Sequence, residues 1–506
     1  MTLTRSKKLV LNTICSLTNQ LVIVICGFIL PRMFLTTYGS AVNGLQSSIS
    51  QFLGFIALGE LGVGAVVRSS LYKPLAHKNQ EEISAIVCSS ERFFRKLGWI
   101  LCLYTIFLLI VYPLLIKNEF GWFYTASLIL IISISYFAQY FLGITYRLLL
   151  NADQMAFIQL ILHAAALLLN TFLAVLLMKN GFGIHIVKLV SSIIFVVQPV
   201  CLAVYVHKHY QINHKLKLTT EPLKQKWNGI AQHLAMFVLG GTDIVVLTVF
   251  STLDAVSVYT VYNLVVNGIR QFVVALTTGV QSAFGNMLAN QEMSNLKLSF
   301  SHLEWFMHTV TTFVFGMTGL LIVNFIRVYT NGVTDTNYIV PTFAILFTCA
   351  TATHCLRLPY DIMILAAGHY KETQNSAFIE SGLNIVLSVA LVFQYGLTGV
   401  AIGTLVALLF RTVYFAHYLS KNILGHEFSH FKKHLVVDFL IIGGMIGATS
   451  SFILEDISYW AWFVLACKTG IVCLVISALI NYLFYRQELT LLYKRFVKII
   501  FNKTLK

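Results

Sequence analysis

Charged side chains inside apolar stretches are the residues of this chain best placed to do chemistry. A charge at mid-bilayer costs roughly 2.5–3.5 kcal/mol on insertion scales, so each needs a partner, a wet cavity or a ligand. Eight residues fit this description: Glu60, Arg68, Asp243, Arg270, Arg357, Asp361, Glu380 and Arg411. Because arginine keeps its charge and binds phosphate through two hydrogen bonds, basic groups facing a cavity would suit an anionic cargo.

Arg270 and Asp243 are the strongest functional candidates among them. Arg270 has no carboxylate within one helical turn, and Asp243 lies well inside its apolar stretch. An unpaired charge at such a place indicates a wet cavity or a partner on another helix. The alternative is that Asp243 pairs with Arg270 and only holds two helices together.

The other arginines have simpler interpretations. Arg357 and Asp361 are four residues apart, on one helical face, where they could neutralise each other. Arg68 and Arg411 lie near predicted cytoplasmic ends, where long side chains can extend to water. The histidines between residues 207 and 214 and between 426 and 434 fall in predicted cytoplasmic loops and indicate a solvated face.

The composition shows that lipid must solvate much of the chain. Of 506 residues, 57% are hydrophobic and 11% charged, against roughly 45–50% and roughly 25% in soluble domains. The net charge of +15 is spread over short clusters without a nucleic-acid motif, so no nucleic-acid partner is expected. Nine cysteines include no Cys-x-x-Cys pair or zinc-type spacing, which favours packing roles over a metal site.

Apolar runs of about 20 residues predict an all-α, polytopic membrane protein with fourteen transmembrane helices. The predicted spans are 9–34, 44–70, 97–116, 122–149, 155–178, 185–206, 229–250, 255–289, 302–326, 339–366, 373–394, 398–420, 435–454 and 459–485. With both termini in the cytoplasm, twenty-five Lys and Arg residues fall inside and four outside, as the positive-inside rule requires.

An internal repeat predicts how these spans are grouped. Leu75-Ala76 recurs as Leu288-Ala289, and Asn170 and Gly181 recur as Asn384 and Gly396, at separations of 213 to 215 residues. Six spans per repeat is an even number, so the two lobes would be parallel and pseudo-symmetric. We therefore predict a six-helix lobe over 1–215, a second over 216–434, and two further helices with a basic cytoplasmic tail over 435–506.

Several segments resemble the Wzx-like polysaccharide flippases of the multidrug/oligosaccharidyl-lipid/polysaccharide (MOP) exporter superfamily. The resemblance is most specific in 38–45, 51–68 and 72–76, and it continues in 366–373 and 384–404. It implies a secondary transporter rather than an enzyme, which moves undecaprenyl-pyrophosphate-linked oligosaccharide across the bacterial plasma membrane for capsule, O-antigen or exopolysaccharide assembly. It also implies membrane lipids, a polysaccharide polymerase and a chain-length regulator as partners.

Two sets of site residues follow from the charges and the resemblance together. We predict that Arg270, supported by Arg68 and Arg357, binds the pyrophosphate of the carrier lipid. Glu60 and Asp361 are placed in the same substrate-binding set.

The second set concerns coupling to an ion, since no cofactor is implied. Related lipid II flippases look as if they bind sodium through residues that match Asp243, Asn384, the Val400 carbonyl and Thr404 here. Ser388 stands where that family has an acid, and Glu380, one turn before Asn384, could replace it. A proton on Asp243 is the alternative to sodium.

Three rival functions remain open. A multidrug/cation antiporter of the same fold would often carry a carboxylate in its first span, and Leu9–Pro31 contains none. A lipid II flippase is the second rival. A membrane glycosyltransferase or polymerase is the third, although every predicted outside loop is short.

Overall fold

The computed structural model describes residues 5–60, 63–116, 119–213, 230–425, 428–486, 488 and 490. These residues form α-helices without a single β-strand among them, as predicted. The helices are α1 (Arg5–Tyr38), α2 (Ser40–Gly54), α3 (Val63–His77), α4 (Gln80–Leu115), α5 (Trp122–Ala138), α6 (Ile144–Ala152), α7 (Ala156–Lys179), α8 (Ile184–His209), α9 (Ile230–Phe250), α10 (Leu253–Ala275), α11 (Val280–Ala289), α12 (Met293–Tyr329), α13 (Pro341–Ala366), α14 (Tyr370–Leu419), α15 (Ser429–Thr449) and α16 (Tyr459–Phe484).

The helices are long and apolar enough for a multi-pass membrane protein. Within the described ranges, nine segments qualify as spans, or ten if α2 with its extension to Glu60 and α3 together make one. The longest, Lys371–Leu424, contains both predicted spans eleven and twelve. Large apolar side chains such as Leu103 and Phe439 are exposed, as lipid contact requires. The count of fourteen and the side of each terminus stay predictions.

The chain divides into two compact units, residues 1–260 and 261–506. The division falls inside α10, whereas the boundary predicted at residues 215 and 216 lies outside the described residues, as do most of the basic tail and the loop containing Lys217. The sequence-based division into lobes therefore stays a prediction.

Backbone geometry at helix ends supports the internal repeat. Lys78 (φ 54°) after α3 matches Gln291 (φ 57°) after α11, at a separation of 213 residues. A left-handed backbone at a non-glycine residue is uncommon, so its recurrence at the same point is informative. Gly181 (φ 76°) and Gly396 (φ 52°), which the sequence pairs at 215, both have a positive φ.

Polar contacts connect the helices of the first unit. Lys8 of α1 donates to the Asp153 carboxylate at 3.1 Å, and the hydroxyl of Tyr210, just after α8, donates to its other oxygen at 2.5 Å. Burial, together with this hydrogen bond and the charge of Asp153, raises the pKa of the Tyr210 hydroxyl. The two contacts fix the ends of α1 and α8 to the turn after α6.

In the second unit, α14 is a hairpin of two helical halves rather than one rod. Gly396 breaks it with φ 52° and ψ −129°, a conformation that side chains strongly disfavour. A Cβ atom at Gly399 would lie 2.3 Å from the Leu391 carbonyl oxygen, and one at Gly403 would lie 2.5 Å from Ser388 Oγ. The two glycines therefore permit the halves to cross at close range, as small residues four apart do in membrane helices.

Candidate functional site

A group of basic side chains gathers in the second unit around His354 of α13. Arg270 of α10, Arg357 of α13 and Arg411 of α14 all interact electrostatically with this histidine. Its Nδ1 atom is buried and has no hydrogen-bond partner in the described part of the chain. The helices thus bring together three arginines that are far apart in sequence.

Glu380 of α14 lies between two of these arginines. Its Oε1 accepts a hydrogen bond from Arg357, and its Oε2 accepts one from Arg411 at 2.6 Å. Both guanidinium groups also lie over the Phe415 ring, at 5.9 and 4.7 Å from its centroid. The Glu380 carboxylate therefore pairs with two buried guanidinium groups. The three arginines outnumber this carboxylate, so the group has a net positive charge.

This arrangement corrects three sequence-based interpretations. Arg357 binds Glu380 on another helical segment, so the predicted pair with Asp361 is wrong. Arg411 is 2% exposed and does not extend to water, because Glu380 holds it inside. Glu380 itself has both oxygens engaged by arginines, so it does not replace the missing acid beside Asn384.

Arg270 differs from the other two arginines of this group in its partners. It is half-buried, and no carboxylate in the described part of the chain forms an ion pair with it. Asp361 is also half-buried and interacts electrostatically with Arg411. The predicted substrate residues Arg270, Arg357 and Asp361 therefore lie in one unit, with Arg411 and His354 added by the structure.

The remaining two predicted substrate residues belong to the first unit. Glu60 ends a 3-10 turn, Phe55–Glu60, and its Oε1 accepts a 2.5 Å hydrogen bond from the Tyr140 hydroxyl. Arg68 of α3 is exposed. Tyr140 is a neighbour of Glu60 that the sequence did not single out; it lies in the π-helical turn Gln139–Gly143 between α5 and α6.

The predicted ion-binding residues of α14 meet where its two halves cross. Asn384 Nδ2 donates to Thr404 Oγ1 at 2.9 Å, and Thr404 Oγ1 donates to the Val400 carbonyl at 3.1 Å. Ser388 Oγ donates to the same carbonyl at 3.4 Å. Asn384 is fully buried, and its Oδ1 has no hydrogen-bond partner among the residues that the structure describes. An open, buried amide oxygen of this kind can accept a cation or a donor hydrogen.

Asp243 of α9, the fifth predicted ion ligand, lies in the first unit. It is 3% exposed, and its Oδ2 accepts a hydrogen bond from Tyr259 of α10 at 3.2 Å. Its burial agrees with the sequence-based placement deep inside a span.

A second polar group in the second unit escaped sequence reasoning. Glu304 and His308 of α12 and His434 and Asp438 of α15 are all buried, although His434 was expected on a solvated loop. The spacing of Glu304, His308 and Thr312, each four residues after the last, was a usable signal because it places all three on one helical face. Within the described residues, no group of three or more His, Cys, Asp or Glu side chains has a metal-binding arrangement.

Comparisons with known proteins place this fold. No protein-family model matches the chain, and no curated protein matches it in sequence. Among solved structures, the lipid II flippase MurJ in an inward closed conformation has a TM-score of 0.71 at 17% identity, covering 94% of this chain and 99% of that one. The chain thus has the same fold as this flippase.

Two MATE transporters extend the comparison. An inward-facing multidrug resistance MATE transporter of the MOP superfamily has a TM-score of 0.57 at 16% identity, covering 80% of this chain and 92% of its own. The eukaryotic MATE transporter AtDTX14 has a TM-score of 0.55 at 12% identity, covering 86% and 98%. At these identities the likeness concerns the fold alone.

Proposed function

We propose that this protein is a flippase of the bacterial plasma membrane that moves undecaprenyl-pyrophosphate-linked oligosaccharide repeat units from the inner to the outer leaflet. The observation that carries the proposal is the positive group of the second unit, with Arg270 half-buried and without an ion pair in the described ranges. A pyrophosphate carries two negative charges and matches the fork of a guanidinium group. Fourteen spans with both termini inside complete the proposed architecture.

Replacement of Arg270 tests this function directly. Arg270→Ala removes a charge-assisted hydrogen bond of roughly 1.5–3 kcal/mol, so cargo affinity should fall about tenfold to a hundredfold. Arg270→Lys should restore part of it, because lysine keeps the charge but loses the fork. The measurement is the appearance of lipid-linked oligosaccharide on the outer leaflet at constant protein level.

Arg327→Ala is the matched control for this experiment. Arg327 lies in the last turn of α12 in the same unit and is exposed, so its loss should leave export unchanged. Normal export by Arg270→Ala would remove the assignment. Formation of a new glycosidic bond by the purified protein would instead favour a glycosyltransferase or polymerase.

Lipid II is the second candidate cargo. The likeness to MurJ over nearly the whole of both chains favours it, and its carrier also ends in a pyrophosphate, so the same arginine would serve. Outer-leaflet exposure of lipid II and of a capsule-type repeat unit, measured side by side with the unmodified chain, separates the two. If neither lipid appears on the outer leaflet and the protein instead exports drugs in exchange for a cation, the multidrug antiporter would be supported.

The polar group of α14 supports coupling to a sodium ion. Asn384 Oδ1, Thr404 Oγ1, Ser388 Oγ and the Val400 carbonyl supply the neutral oxygens that such an ion prefers, and Asn384 Oδ1 is open. Asp243, in the first unit, stays a sequence-based prediction for ion coupling. A polymerase and a chain-length regulator would act on the exported units.

A further inference from the structure

The buried polar group between α12, α13, α15 and the segment after α16 takes no part in either proposed site. Glu304, His308, Tyr360, His434, Asp438 and Tyr485 are exposed by 5, 1, 2, 7, 6 and 4% respectively. They come from four stretches of chain and form one continuous set of contacts. Four of the six can gain or lose a proton near neutral or acidic pH.

Asp438 and His308 form the first half of this group. His308 Nδ1 lies 2.6 Å from Asp438 Oδ2, and Thr312 Oγ1 donates to Asp438 Oδ1 at 2.7 Å. An ionised carboxylate only accepts hydrogen bonds, so His308 Nδ1 carries a proton. Asp438 thus has a donor on each oxygen, and this stabilises its charge.

Glu304 links the two halves. Its Oε1 accepts from the Tyr360 hydroxyl at 2.6 Å, and the oxygen of Tyr360 lies 3.4 Å from His308 Nε2. Since the Tyr360 proton points to Glu304, its oxygen can only accept from His308 Nε2. His308 then carries protons on both nitrogens and is positively charged.

His434 forms the second half, and it is neutral in this arrangement. Its Nδ1 lies 2.7 Å from the Tyr485 hydroxyl, and its Nε2 lies 3.7 Å from Glu304 Oε2. The His308 and His434 rings stack with centroids 4.8 Å apart, where two positive rings would repel. One imidazolium therefore faces two carboxylates, so the four titratable side chains of the group together carry one net negative charge.

Other titratable or charged groups face this set from the same elements. Lys433 Nζ of α15 lies 4.7 Å from the Tyr485 ring centroid, and Glu488 after α16 interacts electrostatically with the Tyr485 hydroxyl. Arg357, one turn before Tyr360 on α13, is bonded to Glu380. His430 of α15 is exposed and interacts electrostatically with Glu304, so a proton on His430 adds positive charge near that carboxylate.

We propose that Glu304, His308, His434 and Asp438 form a proton-binding site whose exchangeable proton resides between Glu304 Oε2 and His434 Nε2. An arriving proton forms an N–H bond at His434 Nδ1, while the Nε2–H bond breaks and its proton forms an O–H bond on Glu304 Oε2. The Tyr485 hydroxyl turns from donor to acceptor. The group then has no net charge, which removes the penalty of a buried unpaired ion.

The gap between the two groups connects proton binding to the packing of the helices. The 3.7 Å between Glu304 Oε2 and His434 Nε2 is longer than a hydrogen bond of about 2.7–3.2 Å. A hydrogen bond between these atoms, in either protonation state, therefore requires α12 and α15 to approach each other.

The test follows protonation of the purified full chain in liposomes without cargo. Infrared difference spectra across about pH 5 to 8, where histidine titrates, should show a protonated carboxyl band that grows as pH falls. Glu304→Gln should abolish the band. Tyr485→Phe keeps every titrating group but removes the switching hydroxyl, so it should shift the midpoint rather than abolish the band.

A purely structural role would give a different result. Thr309→Val is the matched control, because the Thr309 hydroxyl of α12 donates to Asn481 Oδ1 of α16 at 3.0 Å and involves no titratable group. It should change the melting temperature without changing the band. The proposal is wrong if the unmodified chain shows no carboxyl titration, or if Glu304→Gln keeps it. If Glu304→Gln does not fold, an unshifted midpoint in Tyr485→Phe would overturn the proposal.

Discussion

Asn384 is the residue at which geometry adds most to the predicted ion site. The resemblance groups it with Thr404 and the Val400 carbonyl; Asn384 donates to Thr404 Oγ1, which in turn donates to that carbonyl. The sequence does not reveal that Asn384 Oδ1 has no hydrogen-bond partner among the described residues. An unsatisfied buried oxygen costs about 1–3 kcal/mol, so a bound cation would recover that free energy.

Asp243→Asn tests ion coupling at the same scale. A cation site loses most of its attraction when its carboxylate becomes an amide, so export by the variant should no longer depend on sodium concentration at fixed pH. The measurement is outer-leaflet exposure of cargo across a sodium series, with potassium replacing sodium at constant ionic strength. Sodium-independent export by the unmodified protein would exclude sodium, and a changed pH profile alone would favour a proton on Asp243.

The site residues that could not be predicted from the sequence are mostly those whose side-chain partners lie on a different helix. Glu380 was assigned to the ion site because Asn384 is one turn away, but Arg357 and Arg411 approach it from elsewhere in the fold. Glu304 and Asp438 were missed because each sits near the end of a predicted span, where charges are common. Helix positions, in contrast, follow from local hydropathy, so the all-α fold could be predicted.

At the scale of elements, the α14 hairpin depends on two glycines. Gly403→Ala would place a Cβ atom 2.5 Å from Ser388 Oγ and 2.7 Å from its backbone nitrogen, so the halves must separate. We expect a loss of roughly 1–3 kcal/mol, as for other overpacked contacts. The readout is the melting temperature in detergent.

Gly382→Ala provides the control within the same helix. No atom lies within 4 Å of a Cβ placed there, and alanine favours helix by about 1 kcal/mol over glycine. Its melting temperature should stay the same or rise. Equal losses in both variants would show that α14 tolerates no methyl group anywhere, which would contradict a specific crossing at Gly403.

At the scale of the whole molecule, the distribution of basic residues predicts the orientation in the membrane. Thr334, which is exposed after α12, should face the extracellular side of the membrane. Lys217, which is not among the described residues, should face the cytoplasm. In a chain freed of its nine cysteines, Thr334→Cys should react with an impermeant thiol reagent in intact cells, and Lys217→Cys only after lysis. The reverse pattern would contradict the proposed topology.

The membrane potential bears on the direction of transport at this scale. Moving two negative charges outward across a membrane that is negative inside releases about 2.3 kcal/mol per charge per 100 mV. The cargo step would then be downhill, and ion binding would be needed to return the empty protein. That return requires different ion affinities in the two orientations.

The glycine break in α14 has a consequence for how the protein is made. Residues on both sides of Gly396 need only each other to form the Asn384–Thr404 and Ser388–Val400 contacts. The two halves are adjacent in the chain, so the loop that joins them is short and its closure entropy small. The two halves can therefore pack together as soon as both have left the insertion machinery, before α15 and α16 are synthesised. The later helices α15 and α16 are then added to a hairpin that is already folded.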